Sequence, residues 1–303
     1  MNEALPFVSI SISFFNAEST LLDAVRSVFA QTHKNWELIL IDDGSTDNSL
    51  ELARSINEPR VRVYSDGENK KLAARLNQAI TLSKYDFIAR MDADDLMAPD
   101  RIEKQLKILT ERKDIDLVST GVLSLSDENT PVGIRVVPEG HVLTAKNILR
   151  AQSGIIHASV LARKSWYQRN NYREDYPAAE DSELWVRAYS KSDLKVFFIR
   201  EPLYFYREDG NVTKEKLLRG YGLGRRLIRD SATSNFSFYL KINTFIRSFS
   251  KTAFVILMSF FNRLDFLRER RNRGCASDSE MSEYLSCIKS ILSHDLILNK
   301  SDL

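Results

Sequence analysis

Sulfur, phosphate-binding glycine loops and long apolar runs are scarce in this chain, and each scarcity removes a class of function. Only two cysteines, Cys275 and Cys287, occur among 303 residues. With no C-x-x-C pair and no histidine spaced to complete a zinc site, they exclude a disulfide framework and a zinc finger, and they fit a reducing compartment. No glycine-rich loop of the P-loop or pyrophosphorylase kind is present, which removes those nucleotide-binding families. The N-terminal stretch MNEALPFVSI carries Glu3 and Pro6 and lacks the basic, apolar, small-residue order of a secretory signal, so a cytoplasmic protein is expected. In the last third, the longest uncharged run, Thr252 to Asn262, falls well short of the ~20 residues a spanning helix requires.

Charge of either sign is not in excess overall, since the net charge is +2, and that value calls for no nucleic-acid partner. Its distribution is uneven. From Lys216 to Arg273 there are thirteen Lys or Arg against three Asp or Glu, so this stretch carries +10 and the rest of the chain −8.

What the chain does have is alternation. "FVSISISFF" (7 to 15) reads as a strand, and the helical stretch after it places Leu21, Leu22, Val25, Val28 and Phe29 on one face. "WELILID" (36 to 42) and "RVRVYS" (60 to 65) are further strands, separated by "DGSTDNS", whose Ser, Thr and Asp cap a helix through Ala53. A helix over 71 to 83 leads into the strand "YDFIARM" (85 to 91), and Pro99 stands before the helical "DRIEKQLKILTER". Strands alternating with helices define an α/β fold with a mostly parallel sheet covered by helices.

Three of these strands end on polar clusters, at Ser13 to Asn16, Asp42 to Asp47 and Asp92 to Asp95. Open α/β sheets bind ligands beyond the carboxyl ends of their strands, so one composite site is expected there. In the last cluster, two aspartates one residue apart can offer one carboxylate to Mg2+ or Mn2+ and the other to a sugar hydroxyl. Aspartates in turns also cap helices, which is the plain alternative for the triplet.

Four segments in order, "LILIDDGSTDNS" (38 to 49), "KKLAARLNQAI" (70 to 80), "RMDADDLMAPDR" (90 to 101) and "AAEDSELW" (178 to 185), resemble the inverting glycosyltransferases of family 2, which have a GT-A fold. The resemblance runs from about Val8 to about Tyr206. It implies that Ser13, Phe15 and Asn16 lie against the uracil and ribose of a UDP-sugar, and that Asp43, with Asp42 beside it, meets the uracil imide. Phe15 stands where tyrosine is common, and offers a stacking face without a hydroxyl. The resemblance further implies Lys71 on the diphosphate with Arg75 in reserve, Asp92 facing the ribose, Asp94 as the ligand of Mn2+ or Mg2+, and Asp95 as a cap. Asp181 corresponds to the catalytic base, Glu180 to an orienting or acceptor-binding residue, and His157 to a residue near the diphosphate or acceptor. Asp47 is read as a helix cap, and Trp166 and Trp185 either floor a sugar site or belong to the core.

The Q-x-x-R-W motif and membrane spans of processive polysaccharide synthases are missing, which favours transfer of one sugar over polymerisation. The resemblance thus implies a non-processive enzyme that inverts the sugar and passes it to a glycan hydroxyl, on a polyprenyl-diphosphate carrier in bacterial surface polysaccharide assembly. Residues 1 to 220 are read as the catalytic domain and 221 to 303 as a basic, aromatic-rich helical region. That region is open to a helix lying in the inner-membrane interface or to helices packing on the catalytic domain or a second subunit, with RNA binding by the basic stretch a third reading behind these two. Two rival functions stand beside these. A metal-dependent phosphotransferase would need a nucleophilic Asp at the end of the first strand, where "SFFN" has none. A non-catalytic module on a transferase scaffold is opposed by the presence of Asp43, Asp92, Asp94 and Asp181.

Overall fold

The computed structural model describes residues 5–126, 128–207, 214–230, 236–260 and 278–299; Cys275 lies outside them. The first half alternates strictly: β1 (Val8–Phe14), α1 (Leu21–Phe29), β2 (Trp36–Asp42), α2 (Ser49–Arg54), β3 (Val61–Tyr64), α3 (Lys71–Leu82) and β4 (Phe87–Asp92). β5 (Leu96–Met97), α4 (Arg101–Glu111), β6 (Leu117–Leu125), β7 (Pro131–Arg135) and α5 (Ala145–Leu149) follow. A short 3-10 turn at His157–Ser159 leads to β8 (Leu161–Arg163), α6 (Lys164–Arg169), α7 (Glu180–Ser190) and β9 (Val196–Arg207).

All described strands join one sheet in the order β3-β2-β1-β4-β8-β6-β9-β5, with β7 against β6. β3, β2, β1 and β4 run parallel, and beyond β4 the short β8 enters antiparallel. β1 and β2 are buried along nearly their whole length, as strands covered by helices on both faces must be. On α1 the buried side chains Leu21, Ala24, Val25 and Val28 repeat at helical spacing and join Ile10, Ile12 and Leu40 in one core. Each fully buried aliphatic side chain of this kind contributes roughly 1.5–3 kcal/mol. Trp166 and Trp185 belong to a second core, stacked with ring centroids 5.9 Å apart, and not to an open sugar site.

Three C-terminal helices complete the described chain: α8 (Lys214–Asp230), α9 (Phe238–Phe260) and α10 (Asp278–Leu292). Residue 220 therefore falls inside α8. α10 returns to the sheet, where Ile288 and Ile291 bury against Leu96, Leu123 and Phe205. Beyond it, Asn299 N–H donates to Ser55 O at 2.8 Å, fastening the last described residues beside α2. Among the described residues, no helix is long and apolar enough to cross a membrane.

Candidate active site at the strand ends

Register alone brings the three polar clusters together. Ser13 pairs with Ile41 on one side and Asp92 on the other, and Phe14 pairs with Asp42, so β1, β2 and β4 end level at one edge. Ser13 Oγ is buried there without a hydrogen-bond partner. Phe15 is 48% exposed, an open ring at the mouth of the cleft. Asn16 adopts φ +49°, and its Oδ1 accepts from Thr46 N–H at 2.8 Å, tying the end of β1 to the turn after β2.

That turn is organised by its own aspartates. Asp42 accepts from Ser45 N–H at 2.9 Å and from the Ser65 hydroxyl at 2.8 Å. Asp43 accepts from Lys70 N–H at 2.7 Å, Lys71 N–H at 3.1 Å and Arg75 Nε at 2.8 Å, so it holds the start of α3. Gly44 makes this approach possible: it sits at φ +75°, and a Cβ there would meet Glu68 C at 2.9 Å. Asp47 accepts from Ser49 N–H at 3.0 Å and from Glu18 N–H at 3.1 Å, while the N-cap position of α2 falls on Asn48, so Asp47 ties the turn to the residues after β1 and is not the cap read from sequence.

Arg75 is buried, with Nε on Asp43, Nη1 on Asp66 and Gln78, and Nη2 on Asp66 and the Glu68 carbonyl. All five of its donors are committed, and none is left for a diphosphate. Lys71 is exposed at φ +71°, and among the described residues its ammonium is in no ion pair.

At the end of β4, Asp92, Asp94 and Asp95 bring one carboxylate oxygen each within 4.8 Å of one another. Their environments differ. Asp95 is fully buried, accepting from Tyr204 Oη at 2.7 Å and Arg207 N–H at 2.9 Å. It is a tie between this bend and β9, not the cap expected from sequence. Burial, with Asp94 and Asp92 nearby, holds its pKa well above the usual aspartate range. Asp94 has its side chain at the surface of the cleft, yet the surrounding protein and Asp92 raise its pKa too. Asp92 is paired with Arg90.

Arg90 is the residue that sequence reasoning missed. It projects from a buried strand, 4% exposed, and its Nε lacks a partner. Burial opposes its charge, but Asp92, Tyr172 and Tyr204 outweigh that and raise its pKa. Its positive charge is felt by His157, Glu180 and Asp181 as well as by Asp94, so the carboxylate bend and the start of α7 share one buried cation. The signal was present in the sequence: an arginine inside the apolar run 87–91 is a charge that needs a partner.

At the start of α7, burial raises the pKa of both Asp181 and Glu180, while Arg90 pulls each back. Asp181 Oδ1 accepts from Ser182 N–H at 2.6 Å. Ala178 just before them is held at φ +64°. A left-handed alanine is a strained conformation of the kind that can mark a functional site, and Ala151 shares it further from the strand ends. His157 bonds the Tyr172 hydroxyl at 2.7 Å and lies edge-on to Trp185. Burial and Arg90 hold its pKa well below the ordinary value, so it acts as a neutral hydrogen-bonding group at pH 7.

Residues 9–170 match the model of the family described as Glycosyl transferase family 2. The chain belongs to that family. Among its relatives is EpsE of Bacillus subtilis (strain 168), named as a glycosyltransferase, 34% identical over 217 residues that cover 70% of this chain and 76% of EpsE. This family 2 chain is also similar in fold to Staphylococcus aureus TarS 1-349, solved in complex with UDP, with a TM-score of 0.58 at 17% identity over 80% of this chain and 70% of that one. A further neighbour is the mannosyltransferase PcManGT of Pyrobaculum calidifontis, solved with GDP-Man and Mn2+, with a TM-score of 0.57 at 16% identity over 94% of this chain and 86% of that one. At those identities the likeness establishes a shared GT-A architecture, and EpsE and the family model establish a glycosyltransferase.

Proposed function

We propose that this glycosyltransferase moves one sugar, with inversion, from a UDP-sugar to a hydroxyl of a glycan acceptor carried on a lipid diphosphate. The observation that carries the reading is the carboxylate bend at the end of β4, where an exposed Asp94 stands beside a paired Asp92 at the mouth of the cleft. Hard carboxylate oxygens fit a hard divalent cation, with Asp94 as ligand and Asp92 toward the ribose. When bound, Mn2+ or Mg2+ neutralises charge on the departing diphosphate. The complexes described for TarS and PcManGT support a nucleotide donor for this chain, and the second supports a metal.

The chain's own groups then divide the work. Phe15 stacks on the base, and Ser13 Oγ, buried and unpartnered, donates to the ribose or base. Asp43 Oδ2 accepts a single 3.1 Å hydrogen bond and keeps capacity for the uracil imide N–H. Lys71 reaches the diphosphate, while Arg75 fixes Asp43. Asp181 takes the proton from the acceptor hydroxyl as that oxygen attacks C1 and the diphosphate leaves from the opposite face. Its raised pKa makes it a better base than an ordinary aspartate, because proton affinity rises with pKa.

The test is release of nucleoside diphosphate from a panel of UDP-sugars and GDP-mannose, with bacterial lipid extract as acceptor, in Mn2+ or in excess EDTA. UDP release that needs metal and disappears in Asp181→Asn is expected. Release that persists in EDTA removes the metal assignment, and release that persists in Asp181→Asn removes the base.

A further inference from the structure

Between α8 and α9, floored by α5 and the start of α7, lies a cavity of about 340 Å3. Its wall includes Ala178, Ala179 and Ser182, the residues that bracket Glu180 and Asp181 in sequence. Its wall therefore reaches the start of α7, next in sequence to the proposed base.

Four basic residues line this cavity, Lys216 of α8 among them. Arg150, Arg247 and Lys251 all line it, and among the described residues none is paired with a carboxylate. Arg150 Nη2 donates to Asn243 Oδ1 at 2.7 Å, but its Nε is buried with no partner. Burial together with the charges of Arg247 and Arg150 lowers the pKa of Lys251. Lys251 Nζ also lies 5.8 Å from the Tyr221 ring centroid, and like charges that perturb one another are relieved by an anion among them. Thr244 adds a second unmet group: it is 6% exposed, lines the same cavity, and its Oγ1 has no hydrogen-bond partner. Such an orphan normally marks a ligand or water.

The wall also has an apolar stretch, formed by Leu149, Leu217, Leu227 and Ile228, beside the polar Gln152 and Ser248. α8 also carries Gly220 and Gly224, one turn apart and both on the cavity wall. Glycine is unfavourable inside a helix, and packing does not demand it here, because a Cβ at either position would meet nothing within 4 Å. These glycines keep the space open. On the same helix as Arg247, Phe245, Ile246 and Phe249 are 38%, 60% and 51% exposed, so the apolar character continues onto the outer surface of α9.

We propose that this cavity is the seat of the acceptor, and that it takes an isoprenoid-type lipid bearing a phosphate or diphosphate. Arg150, Arg247, Lys251 and Thr244 hold the phosphate, the leucine wall holds the first part of the hydrocarbon, and the exposed face of α9 meets the bilayer from which the lipid comes. The name acceptor rests on the reading of Asp181 as base; the ligand chemistry does not.

The test is calorimetric titration of farnesyl diphosphate into the full chain in EDTA, with inorganic diphosphate and farnesol as comparisons. Farnesyl diphosphate should bind, and both comparisons should bind at least about tenfold more weakly, since each lacks one of the two contacts. The double variant Arg247→Gln, Lys251→Gln should weaken it by about tenfold or more. Gly220→Leu, whose Cβ would meet nothing within 4 Å and whose branch adds bulk at the cavity wall, should do the same while raising or preserving Tm. Binding that neither variant alters overturns the proposal, as does inorganic diphosphate binding as tightly as the lipid. A dimer in solution in which those variants bind like the parent would assign the α9 face to a second copy of the chain and equally overturn it. UDP affinity, measured separately, reports on the donor reading: loss of UDP binding with variant-sensitive farnesyl diphosphate binding would fail that reading and leave this site standing.

Discussion

The two halves of the proposed site are built on opposite terms. At the strand ends most charged groups are already tied: Asp42 and Asp43 to the turn and α3, Arg75 to Asp43 and Asp66, Asp95 to Tyr204 and Arg207. Beneath α9, Arg150, Arg247 and Lys251 stand together with no carboxylate among the described residues, flanked by exposed aromatic rings. A preorganised polar cleft suits a small, rigid nucleotide, because little ordering is left to be done on binding. An open, amphiphilic surface suits a long ligand whose hydrocarbon has no fixed shape. Asp181 lies where the two meet.

The sharpest way to break this contrast is at that junction. Asp181→Asn should lower kcat by about 10^2–10^4-fold, the range of general-base catalysis, with UDP affinity kept; a comparable loss of UDP affinity would place the residue in the donor cleft instead. Next in size, Asp94→Ala should remove the manganese-dependent part of UDP affinity and leave the fold intact, read by titration and by circular dichroism. Phe15→Ala should weaken UDP by about tenfold, in line with roughly 1–3 kcal/mol for an aromatic platform under a base. No change would mean that Phe15 is an exposed ring without a ligand.

The rigidity of the strand-end half can be measured on its own. Tyr204→Phe deletes the hydroxyl that donates to Asp95 and accepts from Asp92 N–H, and should lower stability by about 1–3 kcal/mol, seen as a lower urea midpoint. A smaller effect is expected on pH dependence. Asp181 has a raised pKa, so it stays protonated to higher pH than an ordinary aspartate, and only its ionised form can accept a proton. kcat should therefore fall as pH drops through a midpoint above about 4. Because Arg90 pulls that pKa down, Arg90→Gln should move the midpoint upward. A limb at or below the ordinary value would detach Asp181 from the rate.

The regular half of the fold was legible from the sequence for a physical reason. A strand such as Trp36–Asp42 is an apolar run broken only by Glu37 and closed by a turn signal, and its observed bounds are those of the pattern. The end of the turn was less exact, because the N-cap of α2 falls on Asn48 and Asp47 bonds the backbone of Ser49 and Glu18. The convergence of Ser13, Asp42 and Asp92 followed from parallel strands ending at one edge, and the register shows it. Pairing across long sequence distance was not legible. Nothing local says that Asp95 will meet Tyr204 and Arg207, that Arg75 will spend every donor on its neighbours, or that Arg90 will face the start of α7. The tail was ambiguous because amphipathic helices do not name their partners: α10 turned inward through Ile288 and Ile291, whereas α9 kept its aromatic face outward.

The central claim is a metal-dependent uridine nucleotide site at the ends of β1, β2 and β4. Its most direct test is calorimetric titration of UDP into the purified chain with Mn2+, repeated in excess EDTA and with GDP in place of UDP. The account predicts binding that favours UDP over GDP and is lost when the metal is removed. Equal indifference to both nucleotides, or UDP binding unchanged by EDTA, would contradict it.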